Sequence, residues 1–324
     1  MTHQERHLSC AMWLRAIRAR FLPARLRISS KPFCANAAAA SARPRKSIKL
    51  SMPVIAYLGP EHTNAHLAAQ RRFGKKAEYM HAPTVEDVFS FVERRKAAFG
   101  VVPIENSLEG AVTHTLDRFI DFMDTPVTII GQIEQPIRHC LITGKTTKLP
   151  QIKIVFSHPQ ALAQCRGWLI RHLPKAMLRE TNSTADAVTY IVENKAEYAA
   201  IARRELALVH NLRAFNIPDD RENKTRFLII GLKQPPKSKR SKTSVLFAVK
   251  DKPGALYDAL VPFKFNQINL TKIESRPSKR KAWEYLFFID LEGHLSEQKI
   301  KHALNALRRS ASFVKVLGSY PVKK

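Results

Sequence analysis

The chain has 324 residues, of which 45% are hydrophobic, and a formal net charge of +27. This length favours two domains with tails, the composition supports ordinary hydrophobic cores, and no run approaches the ~20 apolar residues of a membrane-spanning helix. So large a charge is typical of nucleic-acid binding. Because it is concentrated in tail and linker segments without a recognition helix, we expect no nucleic-acid partner and no membrane, but a basic surface that attracts anionic substrates.

Residues 1–51 are predicted to be a basic extension, in which eleven Lys or Arg residues accompany the single acid Glu5. The Arg-rich, acid-poor composition is shared by organellar transit peptides, and a disordered extension or a start codon chosen too early explains it equally well. Four scattered cysteines without metal-ligand spacing favour a reducing compartment. We therefore expect a disordered extension on a cytoplasmic protein, with a plastid location as the alternative if the segment is a transit peptide.

Residues 52–232 alternate between apolar runs and helical patterns, which predicts an α/β domain around a largely parallel sheet. The first predicted strand ends at Gly59-Pro60, a turn signal, and Thr84 can cap a helix. The predicted strands are 54–58, 99–104, 127–133, 139–143, 152–157, 199–202 and 227–231. The predicted helices are 65–73, 85–95, 159–173 and 184–193.

Residues 233–243, which are rich in Pro, Ser and Lys, are predicted to be a linker to a second domain at 244–324. The order of elements in this second domain is strand, helix, strand, strand, helix, strand, the ferredoxin-like arrangement. The predicted strands are 245–250, 268–275, 284–291 and 314–317, and the predicted helices are 254–265 and 296–309.

Several polar clusters follow or precede strands of the first domain, where open α/β sheets bind ligands. They are 59–61, 105–107, 157–160 and 223–227. Together they supply neutral hydrogen-bond donors, a carboxylate and a cation. They contain no nucleophile–base pair, metal-ligand set or P-loop, so metal-dependent hydrolysis and phosphoryl transfer lack support.

Three segments resemble the signature segments of the prephenate dehydratase family and occur in its order, namely 101–110, 157–165 and 223–227. The resemblance extends over about residues 53 to 321. It implies a two-lobed catalytic domain with a cleft, like the type II periplasmic binding proteins, and a C-terminal ACT domain. It also implies conversion of prephenate to phenylpyruvate, with loss of water and carbon dioxide, in L-phenylalanine biosynthesis. No cofactor and no metal are implied.

The family's functional residues correspond to two sets in this chain. The implied catalytic residues are Thr225, Asn106, Ser157 and Gln164, and the implied substrate-binding residues are Arg226, Glu105, Thr184 and Thr63. The hydroxyl of Thr225 would lie at the departing oxygen. Simpler roles remain open: helix caps and buried amides for the neutral residues, a structural salt bridge for Glu105, and a pair with Asp219 or Asp220 for Arg226.

The second domain resembles ACT regulatory modules that bind phenylalanine. The implied L-phenylalanine site comprises Gly254, Ala255, Leu256, Glu274, Ser275, Arg276 and Pro277. A glycine allows close approach of the backbone, and a helix N-terminus suits a carboxylate, although an ordinary helix start has the same pattern. The resemblance implies feedback inhibition and a homodimer or homotetramer.

The chain departs from the family in two places. The opening loop reads His62-Thr63-Asn64-Ala65 where the family has Gly-Thr, an aromatic residue, then Ser or Thr, and His210-Asn211 replaces Tyr-Gly. Two alternatives stay open, an arogenate dehydratase and a non-catalytic sensor of aromatic acids. The first 51 residues are too short for a chorismate mutase domain, so we expect a monofunctional enzyme.

Overall fold

The structure is a computed structural model, and it describes residues 52–121, 124–193, 197–217, 223–278 and 284–322. The predicted basic extension lies outside these ranges, as do Asp219 and Asp220, the candidate partners of Arg226. Within the described ranges, no helix combines the length and apolar character needed to cross a bilayer.

The first lobe contains β1 (Val54–Leu58), α1 (Asn64–Phe73), β2 (Glu78–Ala82), α2 (Val85–Glu93), β3 (Phe99–Asn106), β4 (Gly110–Ala111), α3 (Thr113–Asp121), β5 (Thr128–Pro136) and β11 (Lys224–Gly231). Its sheet has the order β2-β1-β3-β11-β5, with β4 paired to β3. Strands β1, β2 and β3 are parallel, whereas β11 is antiparallel to both β3 and β5.

Helix α2 shows how the sequence determines the local structure. Thr84 and Asp87 form a capping box, in which each side chain accepts the backbone N–H of the other residue. Apolar residues recur at helical spacing on the face that packs into the core. They are Val85, Val88, Phe89 and Val92.

The second lobe contains β6 (Cys140–Thr143), a 3₁₀ turn (Leu149–Gln151), β7 (Ile154–Ser157), α4 (Pro159–Gln164), α5 (Arg166–His172), β8 (Met177–Glu180), α6 (Thr184–Glu193), β9 (Tyr198–Ala202), α7 (Arg204–Val209) and β10 (Arg213–Asn216). Its sheet has the order β10-β6-β9-β7-β8. Strands β7, β8 and β9 are parallel, whereas β6 is antiparallel to β9 and β10. The predicted helix 159–173 is two helices, because the backbone leaves the helical conformation at Cys165.

The two lobes share one topology. Each has three parallel strands, then one antiparallel strand that the chain supplies after crossing between lobes, then an edge strand. The chain crosses once after β5 and once after β10, and the carboxyl ends of the parallel strands face the cleft between the lobes. The prediction of a two-lobed fold like the type II periplasmic binding proteins is thereby confirmed. The sequence predicted a largely parallel sheet; the structure divides it into two sheets, each with three parallel strands and one antiparallel strand that is inserted after a crossing.

The C-terminal domain contains β12 (Ser241–Ala248), α8 (Ala255–Phe265), β13 (Leu270–Pro277), β14 (Tyr285–Glu292), α9 (Gln298–Ser310) and β15 (Phe313–Pro321). The antiparallel sheet has the order β13-β14-β12-β15. Helices α8 and α9 cover one face of this sheet over a separate hydrophobic core. The predicted βαββαβ arrangement is confirmed.

The other face of the C-terminal sheet packs on the first lobe. Leu246 and Phe288 share one buried cluster with Leu116 of α3. Gly318 of β15 approaches β5 so closely that a Cβ atom there would lie 2.1 Å from the carbonyl oxygen of Ile129. The two domains therefore share a buried apolar interface rather than being joined by a linker alone.

Candidate active site

Asn106 and Thr225 lie side by side on neighbouring antiparallel strands, β3 and β11. The side-chain amide of Asn106 donates to Thr225 Oγ1 at 3.0 Å and to Asn223 Oδ1 at 2.9 Å. Its Oδ1 accepts the backbone N–H groups of Leu108 and Glu109 at 3.0 and 3.2 Å, which determines the orientation of the amide. Because Thr225 Oγ1 accepts from Asn106, the threonine O–H can be directed at a ligand oxygen.

Gln164 extends this hydrogen-bond network into the second lobe. Its Oε1 lies 2.9 Å from both Asn223 Nδ2 and His139 Nε2. Its Nε2 donates at 2.7 Å to one carboxylate oxygen of Glu109, and Gln160 donates to the other. Since Glu109 follows β3 and both glutamines lie on α4, these contacts join the lobes across the cleft.

Ser157, at the carboxyl end of β7, is fully buried. Its hydroxyl donates to the carbonyl oxygen of Ile201 on the neighbouring strand β9 at 2.6 Å. The hydroxyl proton of Ser157 is therefore engaged in a hydrogen bond within the second lobe. Toward a ligand, the hydroxyl oxygen can act as an acceptor.

Glu105 and Arg226 face away from the Asn106–Thr225 pair. Successive side chains of a strand point to opposite faces, so the neighbours of the pair lie on the other side of the sheet. There Arg226 Nη1 donates to Glu105 Oε2 at 2.9 Å and Arg226 Nη2 lies 3.7 Å from Glu134. Lys272 of the C-terminal domain lies 3.5 Å from the same Glu105 oxygen. The salt bridge that the sequence left open for Glu105 is present, and it includes Arg226.

Thr63 and Thr184 both lie at helix starts. Thr63 Oγ1 accepts the backbone N–H of His66 at 3.3 Å and donates to the carbonyl oxygen of Leu58 at 3.2 Å, so it caps α1. Thr184 is the first residue of α6, where the preceding Ser183 supplies the capping oxygen. Their substrate-binding role remains a prediction.

At residues 62–65, where the chain departs from the family, the backbone turns without a glycine. His62 adopts φ +63°, a left-handed conformation that costs a non-glycine residue free energy. Its backbone N–H donates to His66 Nδ1 at 2.9 Å, and the His66 ring stacks on Tyr57 with centroids 4.5 Å apart. Burial, and then the neighbouring His62, lower the pKa of His66. Across the cleft, Arg203 Nη2 donates to the carbonyl oxygen of His62.

The second departure also lies at a turn. His210 ends α7, and Asn211 adopts φ +55°. Asparagine is among the non-glycine residues that most readily enter this region. The chain therefore preserves the backbone turn where the family has glycine.

Five contributors to the interlobe contacts were not predicted as site residues from the sequence. Asn223, Glu109 and Gln160 lie inside the segments that resemble the family and could have been found there. His139 and Arg203 lie outside those segments and join the site through the crossings between lobes. Local sequence contained no signal for either residue.

A cavity of about 480 Å³ lies at one end of the C-terminal sheet. Ala255, Leu256 and Tyr285 line it, and Gly254, at φ +78°, begins helix α8 beside it. Tyr285 pairs with Pro277 of β13, so both predicted phenylalanine-binding segments lie at this end of the sheet.

A two-lobed α/β fold with a polar network across its cleft, joined to a ferredoxin-like domain, defines a class of enzyme with a regulatory module. A family model described as prephenate dehydratase matches residues 55–235, and one described as ACT domain matches residues 243–309. This chain belongs to the prephenate dehydratase family. It is an enzyme of the lyase class, and the resemblance stated from the sequence is confirmed.

Known proteins agree with this assignment over most of the chain. The bifunctional chorismate mutase/prephenate dehydratase of Aquifex aeolicus is 46% identical over 268 residues, which are 82% of this chain and 73% of that protein. The prephenate dehydratase of Methanocaldococcus jannaschii is 43% identical over 253 residues, 76% of this chain and 88% of that protein. The crystal structure of an Arthrobacter aurescens prephenate dehydratase in complex with L-Phe superimposes with a TM-score of 0.75 at 32% identity, covering 82% of this chain and 89% of that chain.

Proposed function

We propose that this protein converts prephenate to phenylpyruvate in L-phenylalanine biosynthesis and that L-phenylalanine inhibits it. The observation that carries the proposal is the network of Asn106, Thr225, Asn223 and Gln164, which joins both lobes at the cleft. This network consists of neutral donors and acceptors at the cleft, which supports a reaction in which charge develops on a departing oxygen.

The chemistry needs a donor at the hydroxyl group of the prephenate ring. The ring C–O bond breaks, the bond to the ring carboxylate breaks, and its electron pair makes the ring aromatic as carbon dioxide and water leave. We assign the donor to Thr225, whose oxygen already accepts from Asn106. A threonine hydroxyl is a weak acid, so a hydrogen bond to the departing oxygen, with proton relay, is the assigned role.

Contacts between the domains support regulation by L-phenylalanine. Lys272 of β13 reaches Glu105, and Arg276 donates to both oxygens of Asp117 on α3 at 3.0 to 3.2 Å. Strand β13 also carries the predicted phenylalanine-binding residues Glu274, Ser275, Arg276 and Pro277. A ligand that moves β13 would therefore act on β3, the strand that contains Asn106, provided that the ligand binds two states of the protein with different affinity.

We also propose a homodimer or homotetramer formed through the ACT domain. Strand β13 is an edge of its sheet, and apolar side chains of β13 and α8 are exposed: Ile273 of β13 by 48%, and Tyr257 and Phe265 of α8 by 72% and 81%. Exposed apolar groups beside a sheet edge favour pairing with a second copy. We further propose a cytoplasmic location. The buried free thiols of Cys140 and Cys165 are compatible with a reducing compartment.

The alternative substrate, arogenate, differs from prephenate by an amino group in place of the side-chain keto group. The motifs at Gly59-Pro60-Glu61 and Glu109-Gly110 favour prephenate. A sensor without catalysis is the remaining alternative. Comparing turnover of both substrates by the purified protein separates the three.

The deciding experiment measures phenylpyruvate formation from prephenate, with and without L-phenylalanine. Thr225→Val keeps the shape of threonine and removes its hydroxyl, so we expect a loss on the order of 100-fold or more in kcat. Thr225→Ser should recover part of the activity. The exposed Thr189, changed to Val, serves as the matched control. Full activity of Thr225→Val would remove the hydroxyl from the mechanism, and rates indifferent to L-phenylalanine would refute the regulatory proposal.

A further inference from the structure

Arg203 is a buried cation at the cleft that the proposed mechanism does not use. It follows β9 directly and is 4% exposed. Among the described residues, its Nη1 has no hydrogen-bond partner and lies 3.6 Å from the largely exposed carboxylate of Glu205. Its Nη2 donates a hydrogen bond to the carbonyl oxygen of His62 in the other lobe. A buried guanidinium with an unsatisfied N–H group is costly, and the largely exposed carboxylate of Glu205, its ion-pair partner at 3.6 Å, compensates for this cost only in part.

The position of Arg203 in the second lobe corresponds to the region of Asn106 and Thr225 in the first lobe. In the shared topology of the lobes, β9 is the equivalent of β3, which ends at Asn106. Cys140 of β6 pairs with Ala202 of β9, so one further step of the register brings His139 opposite Arg203. His139 contacts Gln164, a member of the network that reaches Thr225. Arg203 therefore lies on the same cleft as the residues assigned to the reaction.

The substrate needs a cation that the family resemblance had assigned elsewhere. Prephenate carries two carboxylates, and the implied ligand for one of them, Arg226, is turned to the opposite face of the sheet by its pairs with Glu105 and Glu134. The ring carboxylate leaves as neutral carbon dioxide, so a cation held on it would stabilise the ground state and slow the reaction. The side-chain carboxylate keeps its charge throughout and is the group that a guanidinium can hold without this penalty.

We propose that Arg203 binds the side-chain carboxylate of the substrate, exchanging the carbonyl of His62 for it, and that it favours a 2-oxo acid over a 2-amino acid. This inference rests on the proposed function. The preference follows from charge, because the ammonium group of a 2-amino acid lies next to the carboxylate and repels the guanidinium.

The first test is calorimetric and uses two probes that differ only in the carboxylate, phenylpyruvate and phenylacetone, in which a methyl group replaces it. Arg203→Gln should weaken phenylpyruvate binding on the order of 10- to 100-fold, the loss of a charged hydrogen bond. Phenylacetone binding should stay within about 2-fold, because the rest of the cleft is intact. Arg204→Gln, which removes an exposed neighbouring cation bound to Asn216, is the matched control and should change neither.

The second test compares kcat/KM for prephenate and arogenate. Arg203→Gln should lower the value for prephenate more than that for arogenate, a change in ratio that general loosening of the fold would not produce. Equal losses for both substrates, or unchanged phenylpyruvate binding, would overturn the assignment. If Arg203→Gln does not fold, Arg203→Lys decides in the same assays, since an unchanged ratio and affinity would refute a planar, two-donor contact. Failure of the wild type to form phenylpyruvate refutes the proposed function instead, and the calorimetric comparison then still tests Arg203.

Discussion

Asn106 and Glu105 are adjacent in sequence but belong to different parts of the molecule. The pleat of β3 turns Asn106 to the cleft and Glu105 to the C-terminal domain, and the same division separates Thr225 from Arg226 on β11. Each strand therefore has one polar face toward the cleft and one ion-paired face toward the C-terminal domain. We predict that a displacement of one face displaces the other, because both sets of side chains are attached to the same backbone.

At the same scale, His66 predicts how stability depends on pH. Burial lowers its pKa below the value of about 6.5 of an unfolded histidine. Between the folded and unfolded pKa values the unfolded chain binds more protons, so the free energy of unfolding decreases as pH falls through this window. The contribution is complete above about pH 6.5. His66→Gln should therefore flatten the decrease in Tm between about pH 7 and pH 5.

The slope of Tm against pH, not its absolute value, is the readout, because the substitution also removes the stacking contact with Tyr57. His81, exposed on β2, provides the control as His81→Gln. An identical slope in wild type and His66→Gln would contradict the assignment.

At the scale of elements, the sequence predicted those structures whose signal is local. Strand β1 has the predicted bounds, and the βαββαβ order of the C-terminal domain was readable from alternating apolar runs. Strand β8, Met177–Glu180, was missed because all four residues are exposed and show no alternation. Helix α3 was missed although Leu116, Phe119 and Ile120 have helical spacing. The strand register and the two crossings between the lobes determine which residues meet at the cleft. Neither can be predicted from the local amino-acid sequence.

The candidate site also contains residues that the local sequence predicted and residues whose placement depends on strand register and on the crossings between the lobes. Asn106, Gln164 and Thr225 were found because each lies in a contiguous segment that resembles the family. Arg226 and Glu105 were assigned to the substrate for the same reason, but strand alternation turns them to the other face, where they pair with each other. Their contact with substrate remains a prediction, and Arg203, which directly follows β9, is the cation that we propose for the side-chain carboxylate.

Lys272 of β13 forms an ion pair with Glu105 between the two domains, and we predict that this pair takes part in inhibition by L-phenylalanine. Lys272→Met removes the charge that contacts Glu105 from the C-terminal domain but leaves the cleft residues unchanged. We expect basal phenylpyruvate formation within about 2-fold of wild type and a concentration of L-phenylalanine for half-inhibition raised roughly 5-fold or more, the lower range of allosteric coupling. Inhibition curves measured at fixed prephenate concentration provide the test. Lys301→Met, on the exposed face of α9, is the control. Inhibition unchanged by Lys272→Met would mean that coupling does not pass through this ion pair.

At the scale of the whole molecule, the interface between the domains depends on close contact of two backbones. Gly318→Ala would place a Cβ atom 2.1 Å from the carbonyl oxygen of Ile129, a backbone atom that cannot rotate away. We expect a loss of about 1–3 kcal/mol or more in the free energy of unfolding, measured with urea. Gly167→Ala adds a methyl group in open space on α5 and should be neutral or slightly stabilising. Wild-type stability of Gly318→Ala would show that the two strands do not approach this closely.

In the molecule as a whole, the cleft lies between the two lobes, and the C-terminal domain packs on the first lobe. Glu109 joins the lobes on one side through Gln160 and Gln164, and Arg203 joins them on the other through His62. The C-terminal sheet packs on the lobe that carries Asn106 and Thr225. The C-terminal domain, which carries the predicted phenylalanine-binding residues, therefore contacts the lobe that carries two of the predicted catalytic residues.

The most direct test of this account is a double-mutant cycle on phenylpyruvate formation from prephenate, with wild type, Asn106→Ala, Thr225→Val and the double variant. If the amide acts by orienting the threonine hydroxyl, either single change removes the function of both, and the double variant should be about as slow as the slower single variant. Losses in kcat/KM that multiply in the double variant would show that the two side chains act independently and would contradict the network as the unit of catalysis.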